Sequence, residues 1–282
     1  MVKLIFTIDD EVGDGSREIP FAFKTVLRGE NEGFAYGSPL ISSMLKEYNI
    51  RGNFFLSVLE ANFFGDELYE KHTQKLMSDN HEVDLHTHPI YWNKNKRFMN
   101  EYSLKEQKLI IQSGLKTLIR YTGKSKSSVV HRAGSYSVNF DSYDALAELG
   151  ILYDSSYYES SECKVWDCVK NSKFNINGVQ VYPVTALPFP VKKKSIRMPF
   201  FKKNLKLDLN QQSVSLIKEM VKRPTDLEYI MIFLHSFSFL KLNKTYEVAG
   251  INYKLISDFN NLLKFITYSG IETATIQEIE SE

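Results

Sequence analysis

The sequence predicts an α/β fold on three observations. Apolar strand-like runs alternate with amphipathic helical segments over most of the 282 residues, the runs are apolar along their length, and polar residues gather where they end. Such strands belong in a parallel sheet covered on both faces or in a closed barrel. In either, chemistry collects at the carboxyl ends of the strands. No repeat or low-complexity linker divides the chain, so residues 1–282 read as a single domain.

The elements follow in order. "KLIFTID" is a buried first strand, and "SPLISSMLKEY" a helix with Ser38 as N-cap and Pro39 at its first position. "NFFLSV" is β-rich. Asp66 opens a helix carrying Leu68, His72, Leu76 and Met77 at helical spacing, and "HEVDLHT" is the third strand. Ser103 and Glu106 have capping-box spacing, starting a long helix that Gly123 ends. "SSVVHRAG" is the fourth strand, Asp141 caps a short helix ended by Gly150, and "ILYDSS" is the fifth strand. Asn177-Gly178 within "KFNINGVQVYPV" signals a tight hairpin. A helix over Asn210 to Arg223 is stopped by Pro224, and "YIMIFLHSF" is a continuous apolar strand. A helix near Tyr253 to Tyr268 ends at Gly270, and "ETATIQEI" closes as a last strand.

Composition narrows the function. A hydrophobic content of 43% with 24% charged residues is globular, and a net charge of +1 argues against a general nucleic-acid binder. "MVKLIFTIDD" is too short an apolar run for a signal peptide, and no uninterrupted apolar twenty-mer suggests a membrane span, so cytoplasmic residence is expected. Cys163 and Cys168 have no second pair and no nearby histidine, and read as free thiols.

"HEVDLHTHP" places three of the six histidines in nine residues. Alternate strand side chains share a face, so Glu82, Asp84, His86 and His88 lie together and the H-x-H pair can hold one ion. A carboxylate from "TIDDE" (Asp9, Asp10 or Glu11) is the natural third ligand, leaving a position open for water. Imidazole suits zinc, cobalt, nickel or iron, with zinc the first expectation. Asp84 is a possible partner orienting a ligand histidine. His81 starts its strand, His72 lies on a helix and His131 faces away from Arg132, so all three are expected to be structural. The polar strand ends Asp9–Asp10, His86–His88, Arg132, Asp154 and His235 are expected to converge.

"FTIDDE", "HEVDLHTHP", "HRAGSYS", "LYDSSY" and "IFLHSF" resemble, in order and spacing, the five motifs of NodB-homology polysaccharide deacetylases (carbohydrate esterase family 4), over about Leu4 to Ile279. The resemblance implies a distorted (β/α)7-type barrel and a metal-dependent carbohydrate deacetylase. Carried over by position, Asp9 is similar to the family's catalytic base, and Asp10, His86 and His88 to its metal ligands. Arg132 resembles the arginine that orients the base, and the backbone N–H of Tyr136 the oxyanion donor. His235 resembles the general acid, with Asp154 as its partner. Two departures stand out: the histidines are only two apart, as in a divergent H-x-H-P branch associated with surface polysaccharides, and Glu11 stands where a glycine is usual. Glu11 could replace Asp10 as ligand or crowd the pocket.

"VKKKSIRMPFFKKNLK" holds seven basic residues and no acid. It is a solvated loop or a basic rim for a nucleotide- or lipid-linked sugar, with peripheral membrane contact in the latter case. Two alternatives accompany the acetylated-sugar reading: hydrolysis of another C–N bond, in a cyclic amide or ureide, and a non-catalytic carbohydrate-binding barrel.

Overall fold

The computed structural model describes residues 2–160, 162–193, 196–223 and 225–281, without the side chains of 190–202. Ten strands form one curled sheet: β1 (Lys3–Asp10), β2 (Gly52–Ser57), β3 (Glu82–Thr87), β4 (Val130–Ala133), β5 (Tyr153–Asp154), β6 (Phe174–Ile176), β7 (Val179–Val181), β8 (Ala186–Lys193), β9 (Ile196–Asp208) and β10 (Tyr229–His235). Their order is β8-β9-β10-β1-β2-β3-β4-β5-β7-β6. From β10 through β5 every neighbour is parallel, as helical crossovers require. The result is a half-barrel consistent with the distorted barrel that the sequence predicts.

Helices α1 (Ser38–Glu47), α2 (Asp66–Ser78), α3 (Leu104–Thr122), α4 (Phe140–Leu149), α5 (Val214–Val221) and α6 (Tyr253–Tyr268) are joined by a short α7 (Ile276–Glu280). The main core lies between sheet and helices: Phe6, Ile8, Phe54, Leu56, Leu115 and Phe259 are all buried there. A smaller cluster fills the concave side, with Ile5, Phe55, Val130, Tyr229, Met231 and Phe233. Strands buried on both faces explain the continuous apolar runs.

Several local expectations change. Gly37 is the N-cap of α1 and Ser38 its first residue. Asn139, whose side chain accepts from Ser142 N, caps α4 in place of Asp141. "ETATIQEI" is no strand: it contributes one bridge, Thr273 to Leu4, and then turns into α7 behind a capping box of Thr275 and Glu278. The helix expected over 210–223 is shorter, and Pro224 lies outside the described residues.

Asn177 and Gly178 have φ of 50° and 87°, as a tight hairpin between β6 and β7 requires. β8 and β9 form an antiparallel arm that joins the sheet only where Leu207 and Asp208 meet Ile232 and Phe233. Most of the expected basic rim falls in 190–202, whose side chains lie outside the described residues. Cys163 and Cys168 are free.

Candidate active site

Register decides which strand-end residues meet. Asp9 lies beside His235 on β10 and beside Phe55 on β2; Ser57 lies beside His86, and His86 beside Arg132. Paired residues share a face, so Asp9, His86, Arg132 and His235 all point into the concave side. Asp10 pairs with Leu56 and Asp154 with His131, which puts both on the helix-covered side.

Asp10, expected as a ligand, therefore turns away from His86 and His88. It is fully buried, with Oδ2 2.7 Å from His72 Nε2 on α2. Its place is taken by Glu11, two residues beyond Asp9 and on the same face. Glu11, His86 and His88 bring one ligand atom each within 4.8 Å of one another, and all three are buried. Nε2 of His88 lies 3.0 Å from Nε2 of His86. A Glu11 oxygen is 3.2 Å from the first-named strand histidine, His86, and 2.5 Å from His88.

The outer nitrogens of both rings are already engaged. His86 Nδ1 is 2.9 Å from the Arg132 carbonyl, which can only accept, so Nδ1 carries the proton and Nε2 presents a lone pair. His88 Nδ1 faces Asp14 Oδ1 at 2.7 Å, and Asp14 is held in turn by Arg97 Nε at 2.7 Å. One ligand atom each from Glu11, His86 and His88 lies close enough to the others for the three to hold a metal ion. Two histidines and a glutamate are a donor set of hydrolytic zinc sites. Burial opposes ionisation of Glu11, but His88 and His86 hold its carboxyl well below the ordinary value. Burial likewise disfavours the His88 cation, yet Glu11 and Asp14 raise its pKa well above the usual range. The cluster draws positive charge.

Asp9 stands beside this cluster, its Oδ2 3.9 Å from His86 Nε2. Arg132, with no solvent exposure, donates from Nη1 to Asp9 Oδ1 at 2.8 Å and from Nε to the Ser155 carbonyl at 3.0 Å. Its guanidinium carbon lies 3.9 Å from the centroid of Phe55. Burial alone would raise the Asp9 pKa; Arg132, His86 and His235 outweigh it and keep the carboxyl below its ordinary value. His235 sits between Phe233 and a stacked Phe237, each 4.8 Å away.

Asp154 is not the partner of His235. It accepts from His131 Nδ1 at 2.9 Å, Ser156 Oγ at 2.6 Å and Tyr143 Oη at 3.3 Å, beneath α4. Burial lowers the His235 pKa, with Glu11 and Asp9 opposing; Lys206 lowers it further and Asp208 raises it. Lys206 and Asp208 form an ion pair at 3.3 Å on β9; Lys206 entered the sequence reading only as the end of the basic rim, and Asp208 not at all. Lys206 Nζ also donates to Tyr136 Oη at 3.1 Å and lies 3.6 Å from the Phe233 ring centroid. The strand end "KLD" before a helix was the available signal for them.

Tyr136 closes the turn after β4, where Ser135 and Tyr136 both have positive φ, 54° and 58°. Such backbone is strained for these residue types and clusters at functional sites. Gly134 starts this turn because a Cβ there would lie 2.5 Å from the His88 ring. Glu60, at the end of the turn after β2, secures the other wall. Its Oε2 accepts from Val12 N at 3.0 Å and Tyr69 Oη at 2.7 Å, fixing the backbone next to Glu11. Burial and the Glu11 charge push the Glu60 pKa up to about 8. Of the other residues weighed from sequence, His81 and His72 are buried away from the cluster, and Asp84 is bonded by Asn53 and Gln277. Asp84 does not orient a ligand. Asp9, Glu11, His88, Tyr136, Lys206 and His235 line a single cavity of about 290 Å³.

No family model matches the sequence, and no curated protein matches it. Solved structures do. A polysaccharide deacetylase described as putative, from Mycobacterium smegmatis, aligns over 99% of this chain and 89% of its own, with 14% identity and a TM-score of 0.58. A family 4 carbohydrate esterase from Streptomyces lividans, in complex with acetate, aligns over 98% and 93%, with 10% identity and a TM-score of 0.52. The fold is that of the family 4 carbohydrate esterases. A family 4 pseudoenzyme from Bacillus anthracis has it too, over 98% of this chain and 64% of that one, with 10% identity and a TM-score of 0.53. At these identities the family 4 likeness speaks for the fold, and function has to be argued from the site.

Three outcomes are expected. Asp10→Asn should lower stability to urea by about 1–3 kcal/mol through the buried His72 contact, with metal affinity unchanged, whereas Glu11→Gln should weaken metal binding at least about a hundredfold. Gly134→Ala should displace His88 and weaken metal binding by about tenfold or more, read by competition with a chromogenic chelator. For Glu60 the folded pKa of about 8 exceeds the ordinary 4.5. Its contribution to stability is therefore complete below 4.5 and is lost as pH rises to about 8. Glu60→Gln should accordingly raise Tm over the metal-free wild type at pH 8 and lose that advantage towards pH 4.5.

Proposed function

We propose that the chain is a divergent family 4 deacetylase: a metal-dependent hydrolase that removes an acetyl group from a sugar, with Glu11 in the ligand position first expected of Asp10. The observation that carries the reading is the pair of imidazoles, His86 and His88, meeting Glu11 beside an Arg132-held carboxylate. A divalent ion held by Glu11, His86 and His88, most simply zinc, with cobalt, nickel or iron also suited to the donors, would acidify water and polarise the acetyl carbonyl.

The chain's own groups supply the rest. Asp9, kept ionised and oriented by Arg132, accepts the proton that the attacking water loses. The strained turn at Tyr136 offers its backbone N–H to the negative charge developing on the carbonyl oxygen. His235, on the strand next to Asp9, donates a proton to the leaving nitrogen or oxygen. The donation requires the imidazolium, and because burial lowers the His235 pKa that form is populated on the acidic side of the ordinary imidazole range. One proton leaves water and one reaches the leaving group, so the balance closes.

The substrate class that suits the site is an acetylated sugar, and the basic character of 192–206 favours one joined to an anionic carrier such as a nucleotide diphosphate or a lipid phosphate. Among the described residues no helix is long and apolar enough to cross a membrane, so contact with a lipid-linked substrate would be peripheral.

Protein purified without chelator should contain close to one divalent metal per chain by elemental analysis and release acetate from N-acetylated sugars. Asp9→Asn should retain the metal and lose on the order of 10² or more in kcat. Full activity in that variant would leave a binding barrel, and ammonia or ring-opened product in place of acetate would point to a different C–N hydrolase.

A further inference from the structure

Arg97 lines the same cavity as Asp9, Glu11, His88 and His235, from the loop that leaves β3 and leads to α3. The cavity is small, about 290 Å³, at the low end for ligand sites. A group that reaches Arg97 inside it therefore belongs to the reacting sugar or to the bond that leaves that sugar. Lys206, the other lysine or arginine of the described lining, is engaged with Asp208 and Tyr136. Tyr246, from the hairpin that joins Leu240–Leu242 to Val248–Ile251, adds an aromatic wall without charge.

The loop presents the Arg97 side chain in a fixed pose. The Lys96 carbonyl accepts from Tyr102 Oη at 3.2 Å, and the Phe98 N–H donates to Glu101 Oε2 at 2.7 Å, which ties the backbone on both sides of it. Its guanidinium carbon lies 5.4 Å from the Phe98 ring centroid. Arg97 Nε donates to Asp14 Oδ2 at 2.7 Å, while Asp14 Oδ1 stands 2.7 Å from His88 Nδ1. Asp14 is shared between the two, so it answers the guanidinium along one edge only. Among the described residues no acceptor takes Nη1 or Nη2 of Arg97, and its side chain is 57% exposed.

A guanidinium held through Nε keeps its two Nη groups, a planar fork that matches two oxygens of one phosphate. Being anchored beforehand, it forms those bonds with little further loss of side-chain freedom. The run 192–206, with seven basic residues and no acid, ends at Lys206 in the same lining and favours a group with more than one negative charge. We infer that Arg97 receives a phosphate carried by the sugar that loses its acetyl group, so that the substrate is a glycosyl phosphate and not a neutral saccharide. This rests on the carbohydrate reading above and adds to it the residue that reads the charge and the place of that charge, inside the reacting cavity.

The test presents metal-loaded protein with N-acetylglucosamine, its 1-phosphate, its uridine diphosphate ester and its short-chain polyprenyl diphosphate ester. Acetate release gives kcat/KM for each, and calorimetry gives Kd. Wild type should favour every phosphorylated probe over the free sugar by about ten- to a hundredfold, and the better of the two diphosphate esters identifies the carrier. Arg97→Gln should remove most of that preference through KM. Arg97→Lys, which keeps the charge without the fork, should retain part of it. The preference is a ratio of two substrates on one metal, so any harm done to His88 through Asp14 cancels from it. Equal handling of free and phosphorylated sugar, or a preference that Arg97→Gln leaves intact, overturns the inference while acetate release still upholds the carbohydrate reading. Failure of wild type to bind any phosphorylated probe overturns it as well. Phosphate-dependent binding that Arg97→Gln abolishes, without acetate from any probe, supports the anion site and counts against the deacetylase reading.

Discussion

A guanidinium sealed from water at the centre of the half-barrel has to have its charge answered locally, and the way Arg132 is answered organises the site. Its side chain fixes Asp9 through Nη1, takes the Ser155 carbonyl through Nε and rests on Phe55. Its own carbonyl receives His86 Nδ1. One residue therefore sets both the position of the proposed base and the tautomer of a proposed ligand. An unpaired buried charge is costly, so the ion pair holds Asp9 ionised and in place before any substrate arrives.

Around this centre, several groups of the cavity are held by a neighbouring side chain: His88 by Asp14, the backbone beside Glu11 by Glu60, Tyr136 by Lys206. Such partners fix the geometry of a constellation. They also distinguish this chain's site from the fold alone, which family 4 structures described as deacetylases, esterases and a pseudoenzyme all have.

Much of the architecture was legible. Apolar runs gave the parallel strands, Ser103 and Glu106 the start of α3, and the polar strand ends gave Asp9, His86, His88, Arg132 and His235 as residues that meet. Asp10 and Asp154 lie away from the cavity for one reason: the alternation applied to β3 and β4 holds equally for β1 and β5. Asp9 and Glu11 are two apart and share a face, while Asp10 falls between them. His131 was correctly turned away from Arg132, and Asp154, its register partner, turns away with it. The capping spacing Thr275 to Glu278 was present in the segment read as a final strand. Asp208 and Tyr246 were not legible, and Lys206 only as part of a basic rim, because they reach the site from an antiparallel arm and a hairpin whose placement depends on long-range packing.

The two adjacent acids of β1 carry a further consequence. From Leu4 onward this strand is buried on both sides, so greasy residues alone would accept it shifted by one position with little penalty. Only one phase gives Asp9 its arginine and Asp10 its histidine; the shifted phase would strand both carboxylates in dry surroundings. The Asp-Asp step thus acts as an index mark for the central strand, and an acid outside the cavity keeps its neighbour pointed into it.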